Sequence, residues 1–130
     1  MFKTTSYLNK PTKETTTIDA SGKILGKIAV EAADALRGKN KPTFSPHQPT
    51  ENKVIIINAA KIRITGTKLE DKRYYRHSGY LGGIKSETLK EVMIKNPAEV
   101  IRRAVKGMLP KNRLQDIWLK NLQIFNENVK

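Results

Sequence analysis

Cations and aromatic rings alternate in a short segment in the middle of the chain, Lys72–Lys85. Four of its residues are Lys or Arg, and it contains His77 and three of the protein's four tyrosines. Lys and Arg neutralise phosphates, whereas flat rings stack on exposed bases. Gly79, Gly82 and Gly83 interrupt the segment and predict a loop. The combination predicts a nucleic-acid-binding surface; the alternative is a solvated loop whose tyrosines pack back on the core.

The overall charge supports a polyanionic partner. The chain has 130 residues with 25 Lys and Arg against 12 Asp and Glu, a formal net charge of +13. A membrane surface would require a basic amphipathic helix with exposed Trp, Phe or Leu, and none is evident. There is no apolar run of about 18 residues for a transmembrane helix, and the first 13 residues lack the apolar core of a secretory signal. We therefore expect one domain, residues 1–130, with residues 1–13 as an N-terminal arm.

The sequence lacks the usual groupings of catalytic and metal-binding residues. It has no cysteine, which excludes thiolate catalysis and cysteine zinc sites. Its two histidines, His47 and His77, are far apart and have no metal-ligand spacing. Gly22 and Gly26 resemble a phosphate loop, but only three residues separate them and Ile28 stands where Ser or Thr is required. We predict a protein that is not an enzyme and that has no cofactor, metal or small-molecule substrate.

The elements before the central segment alternate between strand and helix. The β-branched run Thr15–Asp19 predicts a strand, and apolar residues at helical spacing predict a helix over Ile24–Arg37. Two prolines predict an extended cationic loop over Lys39–His47. The uninterrupted apolar run Val54–Asn58 predicts a buried parallel strand, and the alternating residues Ile62–Thr65 predict a shorter one.

Helices dominate the second half of the predicted fold. A capping box at Thr88 starts a short helix, and Pro97 starts another that runs to about Leu109. A further helix is predicted over Arg113–Asn121, with Leu114, Ile117, Trp118 and Leu122 inward, followed by a last strand or packed tail over Leu122–Phe125. The sequence thus predicts an α/β domain with a mainly parallel sheet of about four strands flanked by helices.

Several motifs resemble the universal L-thirteen family of large-subunit ribosomal proteins, bacterial type. The motifs keep the family's order over most of the chain and are Asp19–Gly26, Leu36–Lys39 with Lys41-Pro42 and Pro46-His47, Ile57–Ala59 with Lys61-Ile62, Thr65–Lys68, Tyr74–Tyr80 with Gly82-Gly83, and Gly107–Arg113. The most specific motifs are Thr65–Lys68, Tyr74–Tyr80 with Gly82-Gly83, and Gly107–Arg113, and the last two are too long for a chance match.

The resemblance implies a three-layer α/β fold around a parallel sheet and a structural part in the large ribosomal subunit. It implies binding to large-subunit rRNA, contact with neighbouring ribosomal proteins, a role early in subunit assembly, and no catalysis. We expect a cytoplasmic location on the ribosome, with an organellar ribosome as the alternative. From the motifs and the basic loops, the expected RNA-binding residues are Arg37, Lys39, Lys41, His47, Lys61, Arg63, Lys68, Lys72, Arg73, Tyr75, Arg76, His77, Ser78, Tyr80, Lys85, Arg103, Lys106, Lys111 and Arg113.

The sequence departs from the family pattern near the end and at one turn. Leu81 replaces the usual proline, Leu114–Ile117 replaces a basic run, and the end of the chain lacks the family's Gly-Pro and histidine-containing tail. We therefore expect residues 114–130 to be a divergent segment, and we assign no RNA contact to it. Two alternatives remain open: a free RNA- or DNA-binding regulator, and a small α/β hydrolase dependent on nucleotide or metal.

Overall fold

A parallel sheet begins the fold in the computed structural model, which describes residues 13–42 and 44–128. Strand β1 (Thr15–Asp19) leads into helix α1 (Leu25–Arg37), and the chain returns as strand β2 (Lys53–Ile57). The strands β1 and β2 pair in parallel, with Ile18 opposite Ile56. The predicted N-terminal arm lies outside the described residues except for Lys13.

Helix α1 follows the predicted apolar stripe. Its buried residues are Leu25, Ile28, Ala29, Ala32, Ala33 and Leu36. Gly38 ends the helix at a φ of 70°, a conformation that glycine adopts without a steric penalty. The loop after Gly38 is not extended as predicted, because its backbone forms turns. The Lys41 N–H donates to the Gly38 carbonyl at 3.0 Å, and the Gln48 N–H donates to the Ser45 carbonyl at 3.2 Å.

The central strand β2 gains its second neighbour from the far end of the chain. Strand β5 (Leu122–Ile124) pairs with β2 in parallel, as predicted for the last strand, so the order is β1-β2-β5. The mixed α/β class with a parallel sheet is confirmed. The predicted strand Ile62–Thr65 is wrong: only a single bridge joins Arg63 to Ile24. Asn58, at a φ of 59°, and a 3₁₀ turn over Ala59–Lys61 deflect the chain from the sheet.

The central basic segment is a β-hairpin and not the predicted loop. A short helix α2 (Lys68–Asp71) precedes strand β3 (Arg73–His77), which pairs antiparallel with strand β4 (Ile84–Thr88). The three glycines lie in the turn between the strands, so they interrupt the pairing only at the tip of the hairpin.

Three helices complete the fold: α3 (Leu89–Lys95), α4 (Pro97–Met108) and α5 (Leu114–Lys120). The predicted capping box is confirmed, since the Glu91 N–H donates to Thr88 Oγ1 and the Thr88 N–H donates to the Glu91 carboxylate. The predicted inward position of Ile117 is wrong, because this residue is 42% exposed; Met108, at the end of α4, is also exposed, at 49%.

One hydrophobic cluster connects the sheet with the helices. It includes Ile18 and Ile56 from the sheet, Leu36 from α1, Ile101 from α4 and Trp118 from α5. Trp118 is only 1% exposed, which confirms its predicted core role. The arrangement is consistent with a three-layer α/β domain. Among the helices described, none is long and apolar enough to cross a membrane.

Candidate nucleic-acid interface

The hairpin β3–β4 presents cations on both of its faces. Successive side chains of a strand point to opposite faces, so Arg73, Tyr75 and His77 share one face of β3 and Arg76 lies on the other. Lys85 is directly opposite Arg76 in the antiparallel register. Arg76, His77, Ser78 and Lys85 line one shallow depression of about 260 Å³. The pairing thus brings together residues that the sequence placed in a loop.

Two tyrosine rings of the hairpin face solvent. Tyr75 is 70% exposed and Tyr80 is 79% exposed, so the alternative in which they pack on the core is wrong for both. Leu81 and Ile84 are exposed beside them. Their flat and aliphatic surfaces are available to contact bases or sugars.

Tyr74 is the ring that packs. It is partly buried against the core, and the Arg103 guanidinium lies 4.7 Å from its ring centroid. Burial raises the pKa of Tyr74, and the positive charge of Arg103 opposes that increase. Arg103 also donates from Nε to Glu99 at 2.9 Å. The contact between Arg103 and the Tyr74 ring holds the hairpin against α4.

Backbone hydrogen bonds shape the tip of the hairpin. The Ser78 N–H donates to the Gly83 carbonyl at 3.0 Å, and the Gly83 N–H donates to the Tyr80 carbonyl at 2.9 Å. The Gly79 N–H donates to His77 Nδ1 at 2.9 Å. Because Nδ1 accepts this bond, a neutral His77 carries its hydrogen on Nε2 and can donate it outward.

The base of the hairpin is anchored to α3. The Leu89 N–H donates to the Lys72 carbonyl at 2.9 Å. Glu87 of β4 pairs with Lys95 of α3. The Lys95 hydrogen bond and charge lower the pKa of Glu87. Both contacts hold the strands near α3 while the tip stays free for a partner.

A second cationic surface lies at the end of α4. Arg103, Lys106 and Lys111 line a shallow basin of about 570 Å³ together with Asn112 and Gln115. The Gln115 side chain donates to the Lys106 carbonyl at 2.8 Å, which joins α5 to α4. Gln115 was not predicted from the sequence, because the basic run of the family is absent there; its place beside Lys111 depends on the tertiary structure.

A groove continues from this basin toward the hairpin. Its volume is about 420 Å³, and Lys68, Lys72 and Arg103 are among the residues that line it. Arg103 belongs to both depressions, so the cations of α2, the base of the hairpin and α4 form a continuous surface.

The remaining predicted residues are distributed over other parts of the surface. Those exposed on other segments are Lys39, His47, Lys61, Arg63 and Arg113. Arg37 and Lys41 are only partly exposed. The Arg37 guanidinium lies 5.3 Å from the Phe44 centroid, and Lys41 Nζ pairs with Glu14 at 3.1 Å and donates to Asn52 at 3.2 Å. These contacts give Lys41 a structural role within the chain.

Within the described ranges 13–42 and 44–128, no cluster of three or more His, Asp or Glu side chains could hold a metal ion. The interface is built from cations, rings and backbone groups, which suit binding to a polyanion.

Comparison with known proteins identifies the family. The model of the family "Ribosomal protein L13" matches residues 13–130. The large ribosomal subunit protein uL13 of Lawsonia intracellularis is 51% identical over 108 residues, which cover 83% of this chain and 75% of that protein. Its counterpart in Geobacter sulfurreducens is 47% identical over 126 residues, covering 95% of this chain and 88% of that protein. Both confirm the resemblance indicated by the motifs, and the chain belongs to the ribosomal protein L13 family.

Proposed function

We propose that this protein is a structural constituent of the large ribosomal subunit that binds large-subunit rRNA and supports early assembly of the subunit. Its relatives are named as large ribosomal subunit proteins, and membership of a ribosomal protein family confirms that it is not an enzyme. It acts in translation as part of a ribonucleoprotein, located on the ribosome beside other large-subunit proteins. Residues 1–130 act as one rRNA-binding domain.

The observation that carries rRNA binding is the cross-strand pair of Arg76 and Lys85. Like charges directly opposite each other destabilise a pair of strands. Both side chains are exposed, and they share a depression with His77 and Ser78. A phosphate between them would remove the repulsion and accept hydrogen bonds from both cations. The free hairpin thus contains a charge repulsion that phosphate binding would relieve.

The exposed rings supply a second kind of contact. Tyr75 lies on the opposite face of β3 from Arg76, and Tyr80 lies at the tip. Phosphate binding by the cations would bring these rings and His77 to exposed bases or sugars. In this way the protein holds together RNA helices whose phosphates would otherwise repel one another.

Salt dependence tests the electrostatic part of the proposal. If six to ten phosphates are neutralised, affinity should fall by about 10³–10⁵ between 50 and 200 mM salt. Filter binding of the full chain to a large-subunit rRNA fragment measures this slope. A flat response to salt would reject the proposed mode of binding.

A matched pair of lysine variants tests the surface. Lys85→Ala removes a cation from the hairpin depression, whereas Lys120→Ala removes the same side chain from the last turn of α5. Loss of one phosphate contact should weaken binding and reduce the salt slope by about one for Lys85→Ala only. Equal losses for both variants would argue against the hairpin as the site.

Sedimentation distinguishes a ribosomal constituent from a free RNA- or DNA-binding regulator. A ribosomal constituent should migrate with large subunits through a high-salt gradient, whereas a regulator should be released. Family membership favours the first result.

A further inference from the structure

The groove between α1, α2 and α4 has an apolar floor and a positive rim. Ile24, Ile64 and Met108 contribute accessible apolar surface. Lys68, Lys72 and Arg103 contribute positive charge. No acidic residue is among those that line it, and the first turn of α1 is also free of acidic residues. The groove is therefore suited to a ligand with a flat apolar part and a negative part.

Two glycines form part of the groove where the fold itself does not require them. Gly26 lies in α1 and Gly107 lies in α4. A Cβ added at either position would meet nothing within 4 Å, and neither residue has a positive φ. Glycine within a helix destabilises it by roughly 0.5–1 kcal/mol relative to alanine. Glycine at these positions adds no stability to the isolated chain. A partner that contacts the helix backbones closely would, however, require the absence of a side chain there.

The charge and size of the groove indicate the partner. A volume of about 420 Å³ lies near the lower end of the range of roughly 300–1,000 Å³ that is typical of small-molecule sites. This volume suits one nucleotide but not a duplex. Met108 is 49% exposed in the wall of the groove, and its thioether can contact an aromatic ring. No carboxylate lines the groove beside these three cations, so an anionic ligand complements its charge better than a neutral protein segment does.

We propose that this groove binds a single unstacked nucleotide of RNA, with the base between the backbones at Gly26 and Gly107 and a phosphate at Lys68, Lys72 and Arg103. This inference rests on the proposed rRNA binding. It adds a recognition site for a single-stranded residue, apart from the phosphate contacts of the hairpin. An unstacked base is the form of RNA that proteins read most readily.

Glycine amide signals in a nuclear magnetic resonance titration test this site directly. The full chain, labelled with ¹⁵N-glycine, is titrated with a single-stranded RNA hexamer, with a duplex of the same sequence, and with free AMP. The hexamer should shift the signals of Gly26 and Gly107, whereas Gly22, which does not line the groove, should stay unchanged. Gly79 and Gly82 report on the hairpin.

The outcomes separate the two proposals. If the hairpin signals shift and the groove signals do not, the groove inference fails while rRNA binding stands. If no glycine signal responds to any RNA and filter binding is absent, the proposed function fails. If free AMP or the duplex shifts Gly26 and Gly107 as strongly as the hexamer does, the assignment to an unstacked RNA residue is overturned.

The variant Gly107→Ala tests the same site without changing charge. Because the added methyl group has open space in the free chain, the protein should fold with a melting temperature equal to or above that of the wild type. Affinity for the rRNA fragment should nevertheless fall about fivefold to tenfold as the methyl group enters the groove. Val30→Leu, a change at an exposed position of α1 that does not line the groove, should bind as the wild type does. Unchanged affinity of Gly107→Ala would overturn the inference.

Discussion

The variant Gly83→Ala should open the tip of the hairpin. A Cβ at this position would overlap Ser78 Oγ and would lie 2.9 Å from the Tyr80 carbonyl oxygen. The hydroxyl can rotate away, but the carbonyl belongs to the backbone. Relief of the second contact requires movement of the turn, and the Gly83 N–H donates to that same carbonyl.

The size of the effect follows from the bonds at risk. Opening the turn weakens this bond and the bond from the Ser78 N–H to the Gly83 carbonyl, each contributing about 0.5–1.5 kcal/mol. We expect a local destabilisation of about 1–2 kcal/mol. The tip contributes no residue to the hydrophobic cluster, so the free energy of global unfolding should change much less. If binding needs the closed tip, RNA affinity falls in proportion to the closed fraction, so a change of about 1.4 kcal/mol in the closing equilibrium lowers affinity by at most about tenfold.

Amide hydrogen exchange at Ser78 together with filter binding measures both effects. Exchange at Ser78 should become faster, and affinity should fall, while the denaturation midpoint is retained. Ser78→Ala combined with Gly83→Ala removes the hydroxyl contact but leaves the Tyr80 carbonyl, so it should rescue the tip only in part. Unchanged exchange in Gly83→Ala, or complete rescue by the double variant, would refute the argument from the backbone contact.

Other predictions concern the core, a helix start and pH. Trp118→Ala should destabilise the fold by about 3–5 kcal/mol, because it removes a large core side chain; denaturant titration measures this, and a loss below 1 kcal/mol would contradict the packing. Thr88→Ala should cost about 1 kcal/mol in the same assay by removing the cap of α3, whereas Thr88→Ser should retain most of the stability. The hydrogen bond from the Asn58 side chain lowers the pKa of Asp19, so this carboxylate stabilises the fold above its unfolded pKa, and the contribution is lost as pH falls through the folded pKa. Asn58→Gly keeps the positive φ and should raise the pKa of Asp19 toward its ordinary value in a carboxyl carbon titration; an unchanged pKa would exclude the bond as the cause.

Periodicity and capping signals predicted most of the fold. Local hydrogen bonds or burial determine three of these patterns: the stripe of α1, the run from Val54 and the capping box at Thr88. The segment Ile62–Thr65 was wrongly predicted as a strand because its apolar residues alternate. Asn58, which precedes it, already turns the chain away from the sheet. Its alternation carries no information about whether a neighbouring strand is within reach.

The hairpin could not be predicted from hydrophobicity. Four residues of β3 are exposed and Tyr74 is only partly buried, so the strand lacks the apolar face that produces a period of two. Its pairing depends on backbone hydrogen bonds and on the turn between Ser78 and Gly83. Exposed cations and rings could nevertheless be proposed as binding residues from their type, since contacts with phosphates and bases depend on chemistry rather than on burial. The ion pair of Lys41 joins it to Glu14, which is distant in sequence, so no local pattern reveals this internal contact.

The position of β5 has a consequence for biosynthesis. Strand β2 is flanked on both edges only after β5 has been made, and the hairpin and the helices from α2 to α5 separate the two along the chain. While the nascent polypeptide is still growing, one edge of the run from Val54 to Ile57 lacks its native partner. Such an open, aliphatic edge favours association between unfinished chains. The final sheet hydrogen bonds must therefore form late, and a chaperone would be needed most during that interval.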